Sequence, residues 1–255
     1  MTTAGTDVAA ASQGMMAAVT TYNEIRNNAP LWPGVMDRSL LGNRQAQASL
    51  YLADAAKRGK WRHVVRELDR GDHVVDVKAW RPGGKTWLTV LHQAGWHGAP
   101  PDVASWLIER GALRAQPDAA GRTAYDIAVE HNRPAELLDV LKPPAAVLDR
   151  DRITALNAQL ATVIDDLIQQ LFRDVDLRKM FRYPPVEALH ELPGKQLWFP
   201  VPYLWGGFRV GLVDNSDVEL FGGYRELDPL GEVHIATVGY LITPDGPTQV
   251  YEGYE

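Results

Sequence analysis

Apolar and small residues recur at a fixed spacing across the middle of the chain. Residues 89–98 return 34 positions later as residues 123–132, and the same spacing carries Leu107 onto Leu141. One spacing therefore fits both helices of a helix-turn-helix unit. Such units are too small to bury their apolar faces alone, and they stack on one another. The pattern predicts a repeat array made of helices.

A weaker copy of the pattern precedes these two units. Six positions align with later ones at a spacing of 39: Leu52, Ala55, Ala56, Gly59, Val64 and Leu68 with Leu91, Ala94, Gly95, Gly98, Val103 and Leu107. The five additional residues are expected in the connecting loop, 72–86, where an insertion leaves helix stacking undisturbed. We expect three units over residues 49–142. Residues 1–48 are expected to supply a disordered tail, a capping helix at 13–28 and an anchored loop at 31–36.

The sequence Thr89-Val90-Leu91-His92-Gln93-Ala94 resembles the ankyrin-repeat signature Thr-Pro-Leu-His-x-Ala. Val90 departs from the family's proline, which removes a preset first-turn φ but not the helix. The resemblance covers residues 49–142 and implies finger loops that touch partners, with His92 bonding neighbouring backbone. Residues 198–208 are similar to a tail on bacterial ankyrin-repeat proteins, a likeness that implies no activity.

A long amphipathic helix is predicted over residues 148–181. Apolar residues recur there at steps of three and four, from Ile153 to Leu177. The apolar stripe is wider than a coiled-coil seam, which favours packing on the C-terminal edge of the array. A homodimer formed through residues 148–181 is the alternative.

The last part of the chain, residues 183–255, has the pattern of a small antiparallel sheet. Short β-branched and aromatic runs are separated by turn sequences at 214–217 and 243–246, which predicts four or five strands. Pro200 and Pro202 place the first strand at an edge. The expected fold class is therefore α+β: an ankyrin-type helical array of about three repeats, flanking helices and a C-terminal antiparallel sheet.

Composition excludes several functional classes. There is no cysteine, so disulfides, thiolate zinc sites and thiol nucleophiles are ruled out. Twenty-six basic and thirty-two acidic side chains give a net charge of −6, which carries no sign of nucleic-acid binding. The N-terminus lacks the features of a signal peptide, and no apolar run is long enough to span a membrane. We expect a cytoplasmic protein.

Catalytic, cofactor and metal sites find little support in the sequence. Residues 79–86 fit a relaxed phosphate-loop pattern, but the helix that follows belongs to the repeat, so a finger loop is favoured. His92 and His97 are five apart, whereas metal ligands on one helix face are three or four apart. Gly-x-Ser-x-Gly is absent. A carboxylate site in the strand region stays open, among Asp214, Asp217, Glu219, Glu226 and Asp228.

The leading functional hypothesis is a non-catalytic protein-binding module, in a sharper form one that neutralises or regulates a bacterial toxin or enzyme. Because tryptophan and arginine dominate binding hot spots, the predicted contact residues are Trp80, Arg81, Lys85, Trp87, Trp96 and His97. Tyr203, Trp205 and Phe208 either join the sheet to the array, which is favoured, or form a ligand loop. The alternatives are an enzyme or small-ligand binder with its site between array and sheet, and a dimeric assembly protein.

Overall fold

The computed structural model describes residues 29–70, 74–227 and 232–254, so the predicted tail and the helix at 13–28 lie outside the described residues. The described ranges contain helices and one antiparallel sheet, which confirms the α+β class. They divide into two compact units. The helical unit holds Trp32–Val147 and Asp174–Pro193, and the sheet unit includes Leu148–Arg173 and Gly194–Glu255.

Three helix-turn-helix pairs make up most of the helical unit. They are α1 (Asn43–Lys57) with α2 (Trp61–Leu68), α3 (Val90–His97) with α4 (Pro101–Glu109), and α5 (Ala124–Glu130) with α6 (Ala135–Leu141). Alanines and leucines from all three pairs share one core. A Cβ at Gly95 would lie 2.4 Å from the carbonyl oxygen of Ala124. Glycine is therefore required for α3 to approach α5 this closely.

The first helix of each pair, α1, α3 and α5, ends with the same backbone geometry. Gly59, Gly98 and Asn132 have φ angles of 62°, 66° and 51°, the left-handed conformation that commonly ends a helix. One residue later, a backbone N–H donates to the carbonyl five positions back: Lys60 to Ala55, Ala99 to Ala94 and Arg133 to Ala128, at 2.9 to 3.0 Å. These sets are separated by the predicted spacings of 39 and 34, so the alignment holds at the helix ends.

The helix α2 departs from the predicted alignment by one residue. Its N-cap is Lys60, which lies 40 positions before Pro100, the N-cap of α4. The segment from the left-handed residue to the N-cap of the second helix is therefore one residue shorter in the first pair than in the second. As a result Glu67, rather than Leu68, occupies the position of the buried Leu107, and Glu67 itself is buried.

Two further segments, residues 32–36 and residues 174–193, contact each other within the helical unit. Residues 174–193 carry two short helices, α8 (Leu177–Met180) and α9 (Val186–Leu189). Val35 pairs with Phe181 in an antiparallel bridge, and the Met36 N–H donates to the Met180 carbonyl at 2.7 Å. Trp32 is fully buried. The expectation of an anchored loop at residues 31–36 is confirmed.

The sheet unit contains a meander of five strands in chain order. The strands are β1 (Gln196–Val201), β2 (Gly206–Val213), β3 (Asp217–Leu227), β4 (Val233–Thr243) and β5 (Gly246–Tyr254). The predicted strands and both predicted turns are confirmed, and β1 lies at an edge as Pro200 required. Phe208 is paired with Gly222 across β2 and β3. A Cβ at Gly222 would lie 3.0 Å from the Phe208 ring, so the glycine makes room for the aromatic side chain.

The helix predicted over residues 148–181 ends earlier than expected. The observed helix, α7, spans Arg150–Ile168, and Asp174 then takes a φ of 61°. Leu171 and Val175, assigned to the apolar stripe, are exposed. The apolar face of α7 packs on β3, β4 and β5, so its width is explained within the sheet unit. No helix in the described ranges is both long enough and apolar enough for a membrane span.

Candidate functional site

The finger loop, residues 79–89, joins the first helix pair to the second. Trp80 and Thr89 form an antiparallel bridge, which makes the residues between them the end of a hairpin-like loop. The helix α3 begins at Val90, with Thr89 as its N-cap. A phosphate loop would require a helix directly after Thr86. The geometry therefore supports the finger-loop interpretation of this segment.

Trp80 is buried, contrary to the expectation that it contacts a partner. Only 3% of its surface is exposed. Its ring meets the buried Trp32 edge-on, with 5.5 Å between the centroids. Arg182 is distant from Trp80 in the sequence, yet its guanidinium lies 5.3 Å from the centroid of the Trp80 ring. Trp80 thus belongs to the core beneath the finger loop and positions its neighbours.

Arg182 fixes the position of the second tryptophan. Its guanidinium lies 4.3 Å from the centroid of the Trp87 ring, within the range of a cation–π interaction. Trp87 has a φ of 56°, which is rare for a bulky residue. The stacked guanidinium and the finger-loop bridge together hold this conformation and leave the ring half-buried.

The charge of Arg182 is held in a largely apolar environment. Burial lowers the pKa of Arg182 to about 10, and the carboxylates of Glu187 and Asp118 act in the opposite direction. The guanidinium is therefore still charged at neutral pH. Its Nη2 donates to the Pro117 carbonyl at 2.5 Å. Sequence reasoning missed Arg182 because it lies between the predicted helix, 148–181, and the predicted strand region, 183–255, and nothing local marks it.

A cavity of about 220 Å³ opens between α1 and the finger loop. We call it the finger-loop groove. Its apolar wall includes Trp80 and Trp87 from the loop and Leu52 from α1, and its polar lining includes Gln93. The structure thus brings two of the predicted contact residues into one cavity, with a third, Arg81, at its rim.

The rim of the finger-loop groove carries mainly positive charge. Lys57 and Arg81 line it, and the Arg81 guanidinium pairs with the Asp54 carboxylate. Arg58 lies 3.9 Å from the same carboxylate. Lys85 is exposed near the tip of the loop. The charged side chains that line the groove, Lys57 and Arg81, are therefore both basic, in a protein whose overall charge is −6.

The two remaining predicted contact residues lie at the end of α3. Trp96 is 40% exposed and follows Gln93 by three positions, which places it along the same helix face as the groove. Its ring centroid is 4.3 Å from that of His131. The His97 Nε2–H donates to the Lys57 carbonyl at 2.8 Å. His97 therefore ties α3 to the end of α1.

His92 has the structural role implied by the ankyrin resemblance. Its Nδ1 accepts from the Thr89 N–H at 3.1 Å, so Nε2 carries the proton and donates to the Arg122 carbonyl at 3.2 Å. Burial lowers the pKa of His92 to about 4, and the Asp118 carboxylate only partly opposes this effect. A neutral, fully bonded imidazole connects the second helix pair to the third.

The predicted ligand loop of the sheet unit does not act as one group. Phe208 is fully buried, whereas Tyr203 and Trp205 are 66% and 73% exposed. The Tyr203 ring lies 6.3 Å from that of Phe172 within the same unit. Phe208 therefore belongs to the core of the sheet unit, whereas Tyr203 and Trp205 lie at its surface.

Two of the five candidate carboxylates of the strand region are engaged in ion pairs. Asp217 accepts from Arg152 at 2.6 Å, and Glu219 lies 3.0 Å from Arg209. The side chains of Glu226 and Asp228 lie outside the described residues. Within residues 29–70, 74–227 and 232–254, no three histidine, aspartate or glutamate side chains are grouped in a way that could hold a metal ion.

No protein-family model matches the sequence, and no curated protein matches it. The likeness to ankyrin repeats therefore rests on the signature at residues 89–94 and on the recurring helix ends.

Proposed function

We propose that this chain is an ankyrin-type repeat protein that binds another protein, without catalysis, through the finger-loop groove. Three helix pairs with equivalent ends support the repeat assignment. The observation that carries the function is the arrangement of Trp87 on Arg182, which holds an aromatic surface in place beside a positively charged rim. A surface that is already ordered loses little conformational entropy when it binds.

The size of the groove indicates what part of a partner it accepts. A volume of about 220 Å³ is below the roughly 300 to 1,000 Å³ of pockets for drug-sized ligands. It fits one apolar or aromatic side chain. Trp96, further along α3, extends the apolar surface to a neighbouring position of a bound segment.

The charge of the rim indicates the composition of that segment. Lys57, Arg58, Arg81 and Lys85 favour carboxylates, and complementary charge gives specificity and fast association. We therefore propose a partner with an acidic segment that also presents an apolar side chain. By analogy with small bacterial ankyrin proteins, the partner is a toxin or enzyme that binding neutralises or regulates, an assignment that depends on family likeness.

The test is a selection of randomised peptides displayed on phage against the full chain. We expect the selected peptides to combine carboxylates with an aromatic or large apolar residue. A selected peptide should bind the Trp87→Ala variant about thirtyfold more weakly, which corresponds to the roughly 2 kcal/mol of an interface hot spot. Fluorescence anisotropy with the labelled peptide measures the affinity.

Two charge-reversal variants provide the matched control. Lys57→Glu with Arg81→Glu should abolish binding of the acidic peptides. Arg62→Glu with Lys142→Glu changes the net charge equally at exposed positions that do not line the groove, and binding should be retained. Selected peptides without acidic residues, or equal loss of binding in both double variants, would show that the groove is not the binding site.

A further inference from the structure

A second cavity lies in the sheet unit, where the register places two tyrosines around an alanine. Tyr224 of β3 is paired with Ala236 of β4, and Ala236 is paired with Tyr254 of β5. Side chains of directly paired residues lie on the same face of a sheet. The small Ala236 side chain therefore leaves a space between two phenol rings.

The next rows of the same face supply a third ring and a carboxylate. Val238 is paired with Glu252, and Tyr240 with Gln249 beyond a register shift. These side chains, together with Leu167 of α7, line a cavity of about 170 Å³. We call it the tyrosine pocket. Tyrosines surround it, alanine and valine form its floor, and polar groups lie on the β5 side.

The polar groups of the tyrosine pocket present negative charge to it. The Gln249 Nε2 donates to the Glu252 carboxylate at 2.9 Å, and the Tyr240 hydroxyl donates to the Gln249 Oε1 at 3.4 Å. This chain of bonds fixes the orientation of the Gln249 amide. Burial raises the pKa of Tyr240, and the charges of Glu252 and Asp166 raise it further, so the phenol stays neutral at physiological pH.

We propose that the tyrosine pocket binds an organic ammonium cation. The negative face of an aromatic ring attracts such cations, and several rings around one site are the arrangement that recognises methylated and quaternary ammonium groups. Glu252 supplies the opposite charge at the wall of the pocket. The volume accommodates an ammonium head group, and the exposed Tyr254 leaves the pocket accessible from the β5 edge. An anion would be repelled by Glu252 and by the ring faces.

The same head group occurs on free amines and on methylated lysine side chains, so the experiment includes both. Backbone amide shifts of the full chain are followed by NMR during titration with choline and, separately, with N-acetyl-trimethyllysine amide. Saturable shifts centred on β4 and β5 are expected. Tighter binding of the lysine derivative identifies a protein partner as the source, and tighter binding of choline identifies a small metabolite.

A neutral isostere separates cation binding from filling of an apolar cavity. The compound 3,3-dimethylbutan-1-ol has the shape of choline without its charge, and it should produce no saturable shift at the same concentrations. Equal binding of the isostere would overturn the proposal. The absence of any shift at β4 and β5 with millimolar choline would overturn it as well.

Variants assign the effect to the pocket. Glu252→Gln should weaken choline binding about tenfold, since it removes the counter-charge and keeps the shape. Tyr254→Ala should weaken it by a similar factor, and Tyr254→Phe should restore it because the ring returns. Asp245→Asn removes one charge at an exposed turn that does not line the cavity, and binding should be unchanged. Unaltered choline binding in both Glu252→Gln and Tyr254→Ala, with folded spectra, would refute the site.

Discussion

The finger-loop groove and the tyrosine pocket are both lined by aromatic side chains, yet their charges are opposite. The groove has two tryptophans with a lysine and an arginine, and the pocket has three tyrosines with a glutamate. The sequence has the same division. Residues 194–255 contain three basic and nine acidic residues. Their net charge of −6 equals that of the whole chain, so the other residues together are neutral. Aromatic rings supply apolar surface in both sites, and the charges around them decide which ligand is attracted.

The two units also differ in how they are held together. In the helical unit small side chains let the helices approach, and local caps end each helix at equivalent positions. In the sheet unit large aromatic side chains pack across strands over glycines, as Phe221 and Tyr251 do, with 6.0 Å between their centroids. We therefore expect the sheet unit to be most sensitive to loss of a ring and the helical unit to loss of polar contacts.

The largest effect is expected from Phe208→Ala. Removing a fully buried phenylalanine costs about 4 kcal/mol through lost transfer free energy and the cavity left behind. The loss should appear as faster hydrogen exchange in β2, β3 and β4, measured by mass spectrometry. The exposed Trp205→Ala is the control, with a change of about 0.5 kcal/mol or less. Equal acceleration in α3 and α5 would show that the two units unfold together and would end the comparison.

Much of the fold follows from patterns that are local in the sequence. The repeat spacing located the end of the first helix of each pair because a residue just past that helix adopts a left-handed conformation, at Gly59, Gly98 and Asn132. The alternation of strands and turns predicted the whole meander. Pro200 predicted the edge position of β1. In each case a few neighbouring residues determine the outcome.

The candidate sites depended on contacts that local patterns do not contain. Trp80 precedes a turn-rich segment typical of exposed loops, and its burial depends on Trp32 and Arg182, both distant in sequence. The tyrosine pocket depends on strand register. Tyr224 and Tyr254 become neighbours only because both are paired around Ala236. The sequence predicted the strands, but not the row in which these side chains meet.

An intermediate effect is expected on acidification, and it should be confined to the helical unit. The pKa of His92 is about 4 in the folded chain, against about 6.5 in an unfolded chain. The unfolded state therefore binds the proton first as the pH falls. The stabilisation is complete above pH 6.5 and is lost by about pH 4, with a total of about 3 kcal/mol.

Urea denaturation at a series of pH values measures this loss. His92→Gln should be less stable than wild type at neutral pH and should show a flatter dependence between pH 6.5 and 4. The control His63→Gln changes an exposed histidine on α2 and should keep the wild-type slope. An unchanged slope in His92→Gln would mean that another group causes the pH dependence.

The smallest effect compares two equivalent caps within the helical unit. Thr89 and Thr123 occupy the same repeat position, and each forms a reciprocal capping box, with His92 and Asp126 respectively. A lost threonine cap costs about 1 kcal/mol on average and up to about 2. Thr89→Ala should lie at the upper end because both Thr89 and His92 are buried, so no water replaces the hydroxyl.

Thr123→Ala should lie near 1 kcal/mol because its capping bonds are exposed and water can replace them. Urea unfolding at pH 7 measures both free energies, and Thr89→Ser, which keeps the hydroxyl, should recover most of the loss at Thr89. If the two alanine variants cost the same, burial adds nothing to the Thr89 cap. A larger cost at Thr89 would show that burial strengthens the cap of α3 relative to the equivalent, exposed cap of α5.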